Sequence, residues 1–251
     1  MTTRRKTPLD LKTTEAHLCT VDLRLRLLGG LPFFAQLSEQ ELAAINQKFR
    51  EVGYLPNDFI YHAGDPAARL FVVAEGLIKV FQTAANGRSV LLDLLASGEF
   101  FGSLSIAGTP AYPDTTQAHS PACVLSISAE DFRQILDQLP RVAMKVLDAL
   151  AQRLQAANER VFLISSAPVE KRVAVTLLKL AAKLGRQDRL GLLIETPLSR
   201  ENLADMTGST PESVSRVVSQ FQKAGWIATG RQWIALQDPP ALQAIVDRLD
   251  P

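Results

Sequence analysis

The chain has 251 residues, of which 47% are hydrophobic and 21% are charged. This length and composition suffice for two modest domains with apolar cores, and they exclude a disordered chain. The formal net charge of +1 does not by itself indicate a polyanionic partner, so any positive field has to be local. Two cysteines are too few for a scaffold held together by disulfides.

The first part of the chain carries no targeting or membrane signal. No run approaches 18 uninterrupted apolar residues, and the polar, basic opening segment lacks the apolar core of a secretion signal. We therefore expect a cytoplasmic protein with no membrane partner. Residues 1–27 are predicted to form an N-terminal tail.

A β-rich region is predicted next. Ser38 with Glu41 fits a capping box and indicates a short helix, and up to Ser128 short apolar runs are separated by glycines. Asn86-Gly87 is the pair that a tight two-residue hairpin prefers, since both central residues of that turn need positive φ. We predict an antiparallel β-roll over residues 28–128. Its strands are expected at Phe59–Tyr61, Leu70–Val73, Leu77–Phe81, Val90–Leu92 and Val124–Ile127.

A long helix is predicted after the roll, over residues 129–166. Ser128 with Asp131 signals a helix start, and after Pro140 apolar residues alternate by four and three over about three heptads. A single amphipathic helix packed against the roll would show the same stripe, but a strict 3.5-residue period favours a partner helix. We predict a parallel homodimer through a dimer seam of Ala143, Leu147, Leu150, Leu154, Ala157, Val161 and Ile164.

Residues 167–251 are predicted to form a winged helix-turn-helix domain, which makes the fold class α+β. Pro168 is a natural hinge, because proline lacks a backbone donor and disfavours helical geometry in the residue before it. Beyond it, an apolar helix face and a strand at 190–194 precede two short helices and a small β wing around Gly230. The helix face consists of Val173, Leu177, Leu180, Ala181 and Leu184.

The second of the two short helices carries the best evidence for DNA binding. Thr210 can cap it and Pro211 suits its first position, while Val214, Val217, Val218 and Phe221 form a buried stripe. Glu212, Ser215 and Arg216 then share another face, from which arginine can pair with guanine and glutamate can accept from cytosine. We assign sequence readout to these three residues, and further DNA contacts to Ser199, Arg200, Thr210 and Ser213.

A simpler interpretation is that Glu212 and Arg216 form only a solvated ion pair on an exposed helix. The local charge supports DNA binding without proving it, since residues 169–231 hold 10 lysines and arginines against 6 acidic residues.

A glycine-punctuated β-roll, a long dimer helix, a hinge and a winged helix-turn-helix, in this order, resemble the cyclic-AMP receptor and fumarate-nitrate regulator (CRP/FNR) family of bacterial transcription factors. The resemblance runs from Leu28 to Leu236, and its most specific segments are Gly64–Pro66, Leu70–Gly76, Gly98–Gly102 and Leu198–Trp226. It implies a dimer that binds a palindromic site in double-stranded DNA, with one recognition helix per half-site, and that acts with RNA polymerase.

Within the family, Glu-x-x-Ser-Arg at Glu212, Ser215 and Arg216 is similar to the fumarate-nitrate regulator branch, which implies a half-site resembling TTGA. The cyclic-AMP branch usually has an arginine before the glutamate, where this chain has Pro211. Proline offers no side-chain donor, so we expect discrimination at that base step to be weaker or to depend on DNA shape.

The effector expected from the resemblance does not match the residues present. Cyclic AMP would require a glutamate, an Arg-Ser pair and a Thr-Ser pair where this chain has Ser103, Thr115-Thr116 and Ala157-Asn158. The positive charge that would neutralise the phosphate is missing, which argues against a cyclic nucleotide. An effector pocket, if retained, is predicted at Gly102, Ser103, Leu104, Thr115, Thr116 and Asn158.

Other effectors follow from the remaining residues. An iron–sulfur cluster requires four thiolates, and the chain has only Cys19 and Cys123. Haem remains an alternative, since His17, His62 and His119, together with a cysteine or a methionine, are candidate axial ligands. A thiol switch would need an exposed cysteine of lowered pKa, and an unidentified ligand or none completes the alternatives.

Two functions are thus weighed. The first is a sequence-specific dimeric transcription regulator, and the second is a ligand-binding signalling module whose helix-turn-helix is a protein contact. No phosphate-binding glycine loop, spaced metal-ligand cluster or nucleophile-base pair is evident, so we do not expect an enzyme.

Overall fold

A computed structural model of the protein describes residues 20–103, 111–196 and 198–248. The chain divides into two compact units, whose described parts are residues 20–157 and residues 158–248. The first unit combines two antiparallel sheets with helices, and the second combines helices with one small antiparallel sheet. The α+β class and the order of roll, long helix and helix-turn-helix are therefore confirmed.

The first unit begins with two short helices, α1 (Val21–Gly30) and α2 (Glu39–Asn46). The prediction of a tail over residues 1–27 is wrong for its described part, since α1 starts inside it. Thr20 caps α1 by accepting a hydrogen bond from the Leu23 amide. The Arg24 guanidinium then fastens α1 to the end of α2, because it donates to Asn46 Oδ1 at 2.8 Å and to the Phe49 carbonyl at 2.8 Å. The predicted capping box of Ser38 and Glu41 is confirmed.

Eight strands form the two sheets of the roll, with β-strand orders β1-β8-β3-β6 and β2-β7-β4-β5. All neighbouring strands pair antiparallel, as predicted. The strands are β1 (Arg50–Tyr54), β2 (Phe59–Tyr61), β3 (Arg69–Glu75), β4 (Ile78–Thr83), β5 (Ser89–Leu95), β6 (Phe100–Gly102), β7 (Thr115–Ala118) and β8 (Ala122–Ser128).

Strand β3 is apolar without alternation because both of its faces are buried. Leu70, Val72 and Ala74 belong to a helix-side core, which β3 and β8 share with α1, α2 and the helices that follow the roll. Phe71 and Val73 belong to a roll core between the two sheets. One strand therefore contributes to both cores of the unit.

The β4–β5 hairpin is confirmed, but the predicted type of its turn is wrong. The Gly87 amide donates to the Ala84 carbonyl and the Ala84 amide donates to the Arg88 carbonyl, both at 2.8 Å. Gly87 has φ +80°, whereas Asn86 has no positive φ. The loop is thus a three-residue connection closed by a left-handed glycine rather than the two-residue turn. Asn86 instead accepts a hydrogen bond from the Arg88 amide through Oδ1.

Two helices, rather than one, follow the roll. They are α3 (Ala129–Gln138), which Ser128 caps as predicted, and α4 (Pro140–Ser166). The break falls at Leu139, whose φ of −128° and ψ of 76° are not helical, because the ring of the following proline crowds out helical geometry. The predicted helix end before Pro168 is confirmed. None of the helices in the described ranges is both long enough and apolar enough to cross a membrane.

The second unit packs its helices around one core. Val173, Leu177, Leu180 and Ala181 are buried as predicted, and the wing pairs with a strand that precedes the helix-turn-helix, in the order β11-β12-β10-β9. The elements are α5 (Val169–Leu184), β9 (Gly185–Asp188), β10 (Gly191–Glu195), α6 (Arg200–Thr207), α7 (Pro211–Lys223), β11 (Ile227–Gly230), β12 (Trp233–Leu236) and α8 (Pro239–Asp247).

Candidate nucleic-acid interface

Helix α6 is the first helix of the helix-turn-helix, and its start is fixed by a reciprocal cap. The Asn202 amide donates to Ser199 Oγ at 3.0 Å, and the Ser199 amide donates to Asn202 Oδ1 at 3.1 Å. Arg200 follows at the first helical position and is half-buried, and this burial lowers the pKa of its guanidinium. A cation at this positive end of the helix dipole is unfavourable unless an anion lies nearby.

Helix α7 begins where the sequence predicts. Thr210 Oγ1 accepts a hydrogen bond from the Ser213 amide at 3.2 Å, and Pro211 occupies the first turn. Thr210 also donates to Ser213 Oγ at 3.1 Å, so both side chains are engaged in the cap. Their predicted DNA contacts stay predictions.

Helix α7 has one buried apolar face and one solvent-accessible polar face. The predicted apolar stripe is buried and holds the helix on the rest of the unit, with Val214, Val218 and Phe221 fully inaccessible. On the other side Glu212 and Arg216 are exposed and Ser215 is half-exposed. The structure therefore brings the three predicted reading residues onto one accessible face, in the first two turns of the helix.

The same face continues beyond the predicted residues. Ser215 and Arg216 line a shallow, open depression of about 370 Å³ together with Ser219, Gln220 and Lys223. Sequence reasoning missed these last three, although Ser219 and Gln220 lie three or four residues beyond Arg216, and Lys223 lies one turn further, on the same side. Lys223 adds a second exposed cation to this face.

The wing is confirmed as a hairpin of β11 and β12. Arg231 is exposed in the turn between these strands. Gln222 Nε2 donates to Thr229 Oγ1 at 2.9 Å, which connects the end of α7 to the wing. Two accessible basic elements, the face of α7 and the wing turn, thus belong to one connected unit.

The predicted dimer seam lies on α4. Leu147, Leu154 and Val161 are more than half exposed, and Ala157 is exposed as well. Leu150 and Ile164 are 40% and 36% exposed, and Ala143 packs partly against the helix-side core. An adjacent face of the first turns of α4 is buried in that core, through Val142, Val146 and Ala149.

The described members of the predicted effector pocket carry no charged side chain. Thr115 Oγ1 already accepts a hydrogen bond from the Ala63 amide at 3.0 Å, and Thr116 is fully buried. Neither position supplies the cation that a phosphate requires. The Ser103 amide donates to the Arg69 carbonyl at 3.0 Å. Asn158 is exposed on α4, and Leu104 lies outside the described residues.

Four aromatic side chains pack together in the roll core. The rings of Tyr61 and Tyr112 stack at 3.8 Å between centroids, and those of Phe71 and Phe101 stack at 5.1 Å. Tyr61 also donates to Asp114 Oδ1 at 2.8 Å. Burial raises the pKa of Asp114.

The candidate haem ligands differ in their surroundings. His62 is exposed and its ring lies 4.4 Å from that of Phe59, whereas His119 is largely buried in the turn before β8. His17 and Cys19 lie outside the described residues, and Cys123 is buried. In the described ranges, no group of three or more His, Cys, Asp or Glu side chains is placed to hold a metal ion.

His119 predicts a pH dependence of stability. Burial, and then the charge of Lys79, lower its pKa from 6.5 to about 4. As the pH falls from 6.5 towards 4, the unfolded chain therefore binds a proton that the folded chain does not, and the free energy of unfolding decreases. The full shift corresponds to at most about 3 kcal/mol, and partial solvent contact of the ring reduces our expectation to about 2 kcal/mol.

Urea unfolding at pH 7 and pH 4.5 measures this effect. We expect His119→Gln to lose less stability between the two pH values than the unaltered protein does. His62→Gln is the matched control, since that ring is exposed, and it should keep the full dependence. Equal losses in the protein and in His119→Gln would show that the buried imidazole is not responsible.

Comparisons with known proteins agree with this architecture. The family model "Cyclic nucleotide-binding domain" matches residues 51–139, and the model "Crp-like helix-turn-helix domain" matches residues 171–245. The chain is 31% identical over 209 residues to the probable transcriptional regulator flp of Lacticaseibacillus casei, covering 82% of this chain and 88% of that protein. It is 24% identical over 216 residues to a CRP-like cAMP-activated global transcriptional regulator of Mycobacterium tuberculosis, covering 86% of this chain and 96% of that one.

Solved structures show the same fold. A CRP-family transcriptional regulator from Thermus thermophilus superposes with a TM-score of 0.66 at 29% identity, over 78% of this chain and 97% of that one. FixK2 from Bradyrhizobium japonicum superposes with a TM-score of 0.72 at 23% identity, over 80% and 99%. The two relatives from Lacticaseibacillus casei and Mycobacterium tuberculosis are named as transcriptional regulators rather than enzymes, which confirms the expectation of a non-enzymatic protein. The chain belongs to the CRP/FNR family of DNA-binding transcriptional regulators.

Proposed function

We propose that the protein regulates transcription as a parallel homodimer that binds a palindromic, TTGA-like site in double-stranded DNA. The observation that carries this proposal is the accessible face of α7, where Glu212, Ser215 and Arg216 stand opposite a fully buried stripe. A recognition helix reads base edges with side chains of its first turns. The cytoplasm and RNA polymerase are the expected setting and partner of such a regulator.

The rest of the interface fits contacts to the DNA backbone. Arg200 and Ser199 lie at the start of α6, where a phosphate would offset both the burial of the guanidinium and its unfavourable place at the helix start. Arg231 in the wing turn and Lys223 at the end of α7 are the further cations proposed for phosphates. Such contacts set affinity and register, while the reading residues set sequence preference.

The homodimer is proposed to form along the dimer seam of α4. The seam exposes leucine and valine side chains at heptad spacing, and an exposed apolar stripe of this kind is typical of an interface. Two copies related by a two-fold axis would present two α7 helices to successive major grooves. We place the sensor domain at residues 28–128, the dimerisation helix at 129–166 and the DNA-binding domain at 167–251.

The decisive experiment is a selection from random-sequence duplexes with the full-length protein and Arg216→Ala. We expect the protein to select a palindrome with TTGA half-sites. Arg216→Ala should lose about 1–3 kcal/mol of discrimination at one base pair per half-site. An unchanged preference in the variant would remove Arg216 from the reading residues.

Lys223→Ala is the matched control for that experiment, because it removes an exposed cation from the same helix two turns away. It should weaken binding uniformly across sequences without changing the preferred site. A salt series on the selected duplex tests the alternative of a protein contact, since affinity for DNA falls steeply with salt. A flat response would favour the signalling module.

We propose that the roll does not take a cyclic nucleotide in the manner implied by the family, because Thr115 and Thr116 supply no cation and the hydroxyl of Thr115 is already engaged. Titration calorimetry with cyclic AMP tests this directly. An absorbance spectrum and metal analysis of protein purified without oxygen test haem at the same time. Binding of cyclic AMP at micromolar concentration would contradict the proposal.

A further inference from the structure

The carboxyl end of α6, at the turn of the helix-turn-helix, leaves carbonyl groups without partners inside the helix, as every helix end does. The amides of Gly208 and Ser209 close the turn on the carbonyls of Asp205 and Ala204. The next carbonyls in the chain are those of Met206, Thr207 and Gly208, and they need donors from elsewhere.

Two guanidinium groups from outside the motif bind these carbonyls. Arg172, in the first turn of α5, donates through Nη1 to the Thr207 carbonyl at 2.7 Å and to the Gly208 carbonyl at 2.9 Å. Arg160, near the end of α4, donates through Nη2 to the Met206 carbonyl at 3.3 Å. Cations are favourable at the negative end of a helix dipole, and hydrogen bonds from a charged donor are the stronger ones.

An apolar contact completes the arrangement. Gly208 has the left-handed backbone with φ +57°, and a Cβ atom there would lie 2.9 Å from Ile164 Cγ2 and 3.6 Å from Arg172 Nη1. The turn of the helix-turn-helix thus lies directly against the last turns of α4. Ile164, which was predicted for the dimer seam, therefore has part of its surface covered by this turn.

We propose that Arg160, Ile164 and Arg172 form a turn clamp, which fixes the helix-turn-helix to the end of the long helix and so positions α7 for DNA. Thr210, the cap of α7, is two residues beyond Gly208, so the place of the turn sets the place of the recognition helix. Arg172 is in this view a positioning residue that touches no DNA. The inference rests on the proposed DNA recognition by α7.

The competing role for Arg172 is a direct phosphate contact, as for any basic residue of a DNA-binding domain. Salt dependence separates the two roles. Removing a phosphate contact lowers the slope of log affinity against log salt by about one, because fewer counterions are released. Removing a positioning residue weakens binding at every salt concentration and leaves the slope unchanged.

The experiment measures the affinity of full-length Arg172→Ala, at several salt concentrations, for the duplex that the unaltered protein selects. We expect affinity on the order of tenfold lower with an unchanged slope. Arg172→Lys should recover part of the affinity, since an ammonium group can donate to both carbonyls. Arg200→Ala is the control for a phosphate contact and should lower the slope by about one. Full affinity of Arg172→Ala, or a lowered slope, would overturn the clamp.

A double-mutant cycle tests the apolar contact. Gly208→Ala should weaken DNA binding, because the added methyl group overlaps Ile164 Cγ2. Adding Ile164→Ala removes the overlap and should restore part of the affinity, although the left-handed backbone at residue 208 still costs an alanine some of it. Strictly additive effects of the two substitutions would contradict the contact.

Hydrogen exchange of the free protein gives a readout that needs no DNA. Arg172→Ala should speed exchange of the Gly208 and Ser209 amides on the order of tenfold, while thermal unfolding shows that the domain stays folded. Unchanged exchange would overturn the clamp even where DNA binding is lost. A protein that selects no duplex but shows the faster exchange would instead contradict the proposed DNA recognition.

Discussion

Replacing Leu154 by aspartate is expected to convert the proposed dimer into monomers and to abolish binding to the proposed palindromic site. Leu154 is 64% exposed at the middle of the proposed dimer seam. Two carboxylates would face each other across a parallel seam, desolvated and without a cation. We expect a cost of at least about 3 kcal/mol, which raises the dissociation constant more than about a hundredfold.

Sedimentation at micromolar concentration measures the oligomeric state of the variant. Affinities for a half-site duplex and for a full palindrome then show whether loss of the dimer weakens DNA binding. Gln152→Asp is the matched control, because it places the same charge on the same helix turn but on the other side, where Gln152 is already exposed. The Gln152→Asp variant should still sediment as a dimer. Leu154→Asp that still sediments as a dimer would contradict the seam and require another interface.

Gly76→Ala is expected to destabilise the roll by about 3 kcal/mol. Gly76 has φ +85°, and a Cβ atom there would lie 2.3 Å from the Pro121 carbonyl oxygen and 2.8 Å from Ala122 Cα. The left-handed backbone costs an alanine about 1 kcal/mol, and overlap with backbone atoms that cannot rotate away adds about 2 kcal/mol. Chemical denaturation measures the loss.

Gly87→Ala separates these two contributions. Gly87 has nearly the same backbone, φ +80°, but no atom lies within 4 Å of the Cβ position. This variant should lose only about 1 kcal/mol. If the two variants lost equal stability, the close approach of the β7–β8 connection to Gly76 would not be the cause.

Local signals in the sequence predicted the starts of helices well. Ser38, Ser128 and Thr210 each accept a hydrogen bond from a backbone amide of the following turn, and such a cap depends only on residues three apart. Five of the eight strands of the roll were also predicted, whereas β1, β6 and β7 were missed. Strand β1 was missed because four of its five residues are exposed and it shows no alternation.

The errors have different physical causes, and only one of them is contact between residues distant in sequence. Helix α1 was predicted as part of the tail. The hydrogen bonds that hold it run from the Arg24 guanidinium to residues 22 and 25 positions further along the chain, which local patterns do not reveal. The Asn86-Gly87 turn was given the wrong geometry because the same pair also fits a longer loop. The break at Leu139 divides a helix that the caps alone predicted as continuous.

The residues of the candidate interface also differ in how far the sequence could predict them. Helical spacing was enough to place Glu212, Ser215 and Arg216 on one face, and the same spacing could have added Ser219 and Lys223. Nothing in the spacing indicates Arg160 or Arg172, because they bind main-chain carbonyls 35 to 46 residues away. Every residue has a backbone carbonyl, so the residue type of the partner does not indicate that a guanidinium binds there.

Strand β3 couples the two cores of the first unit mechanically. Phe71 and Val73 form part of one compartment, while Leu70, Val72 and Ala74, on the same five-residue stretch, form part of another that includes the beginning of α4. Because close-packed interiors transmit strain rather than absorb it, a molecule that displaced Phe71 inside the roll would also disturb Leu70 and Val72, which share the helix-side core with Val142 and Val146. A signal can therefore reach the long helix through this shared strand without any contact between the molecule and the helix.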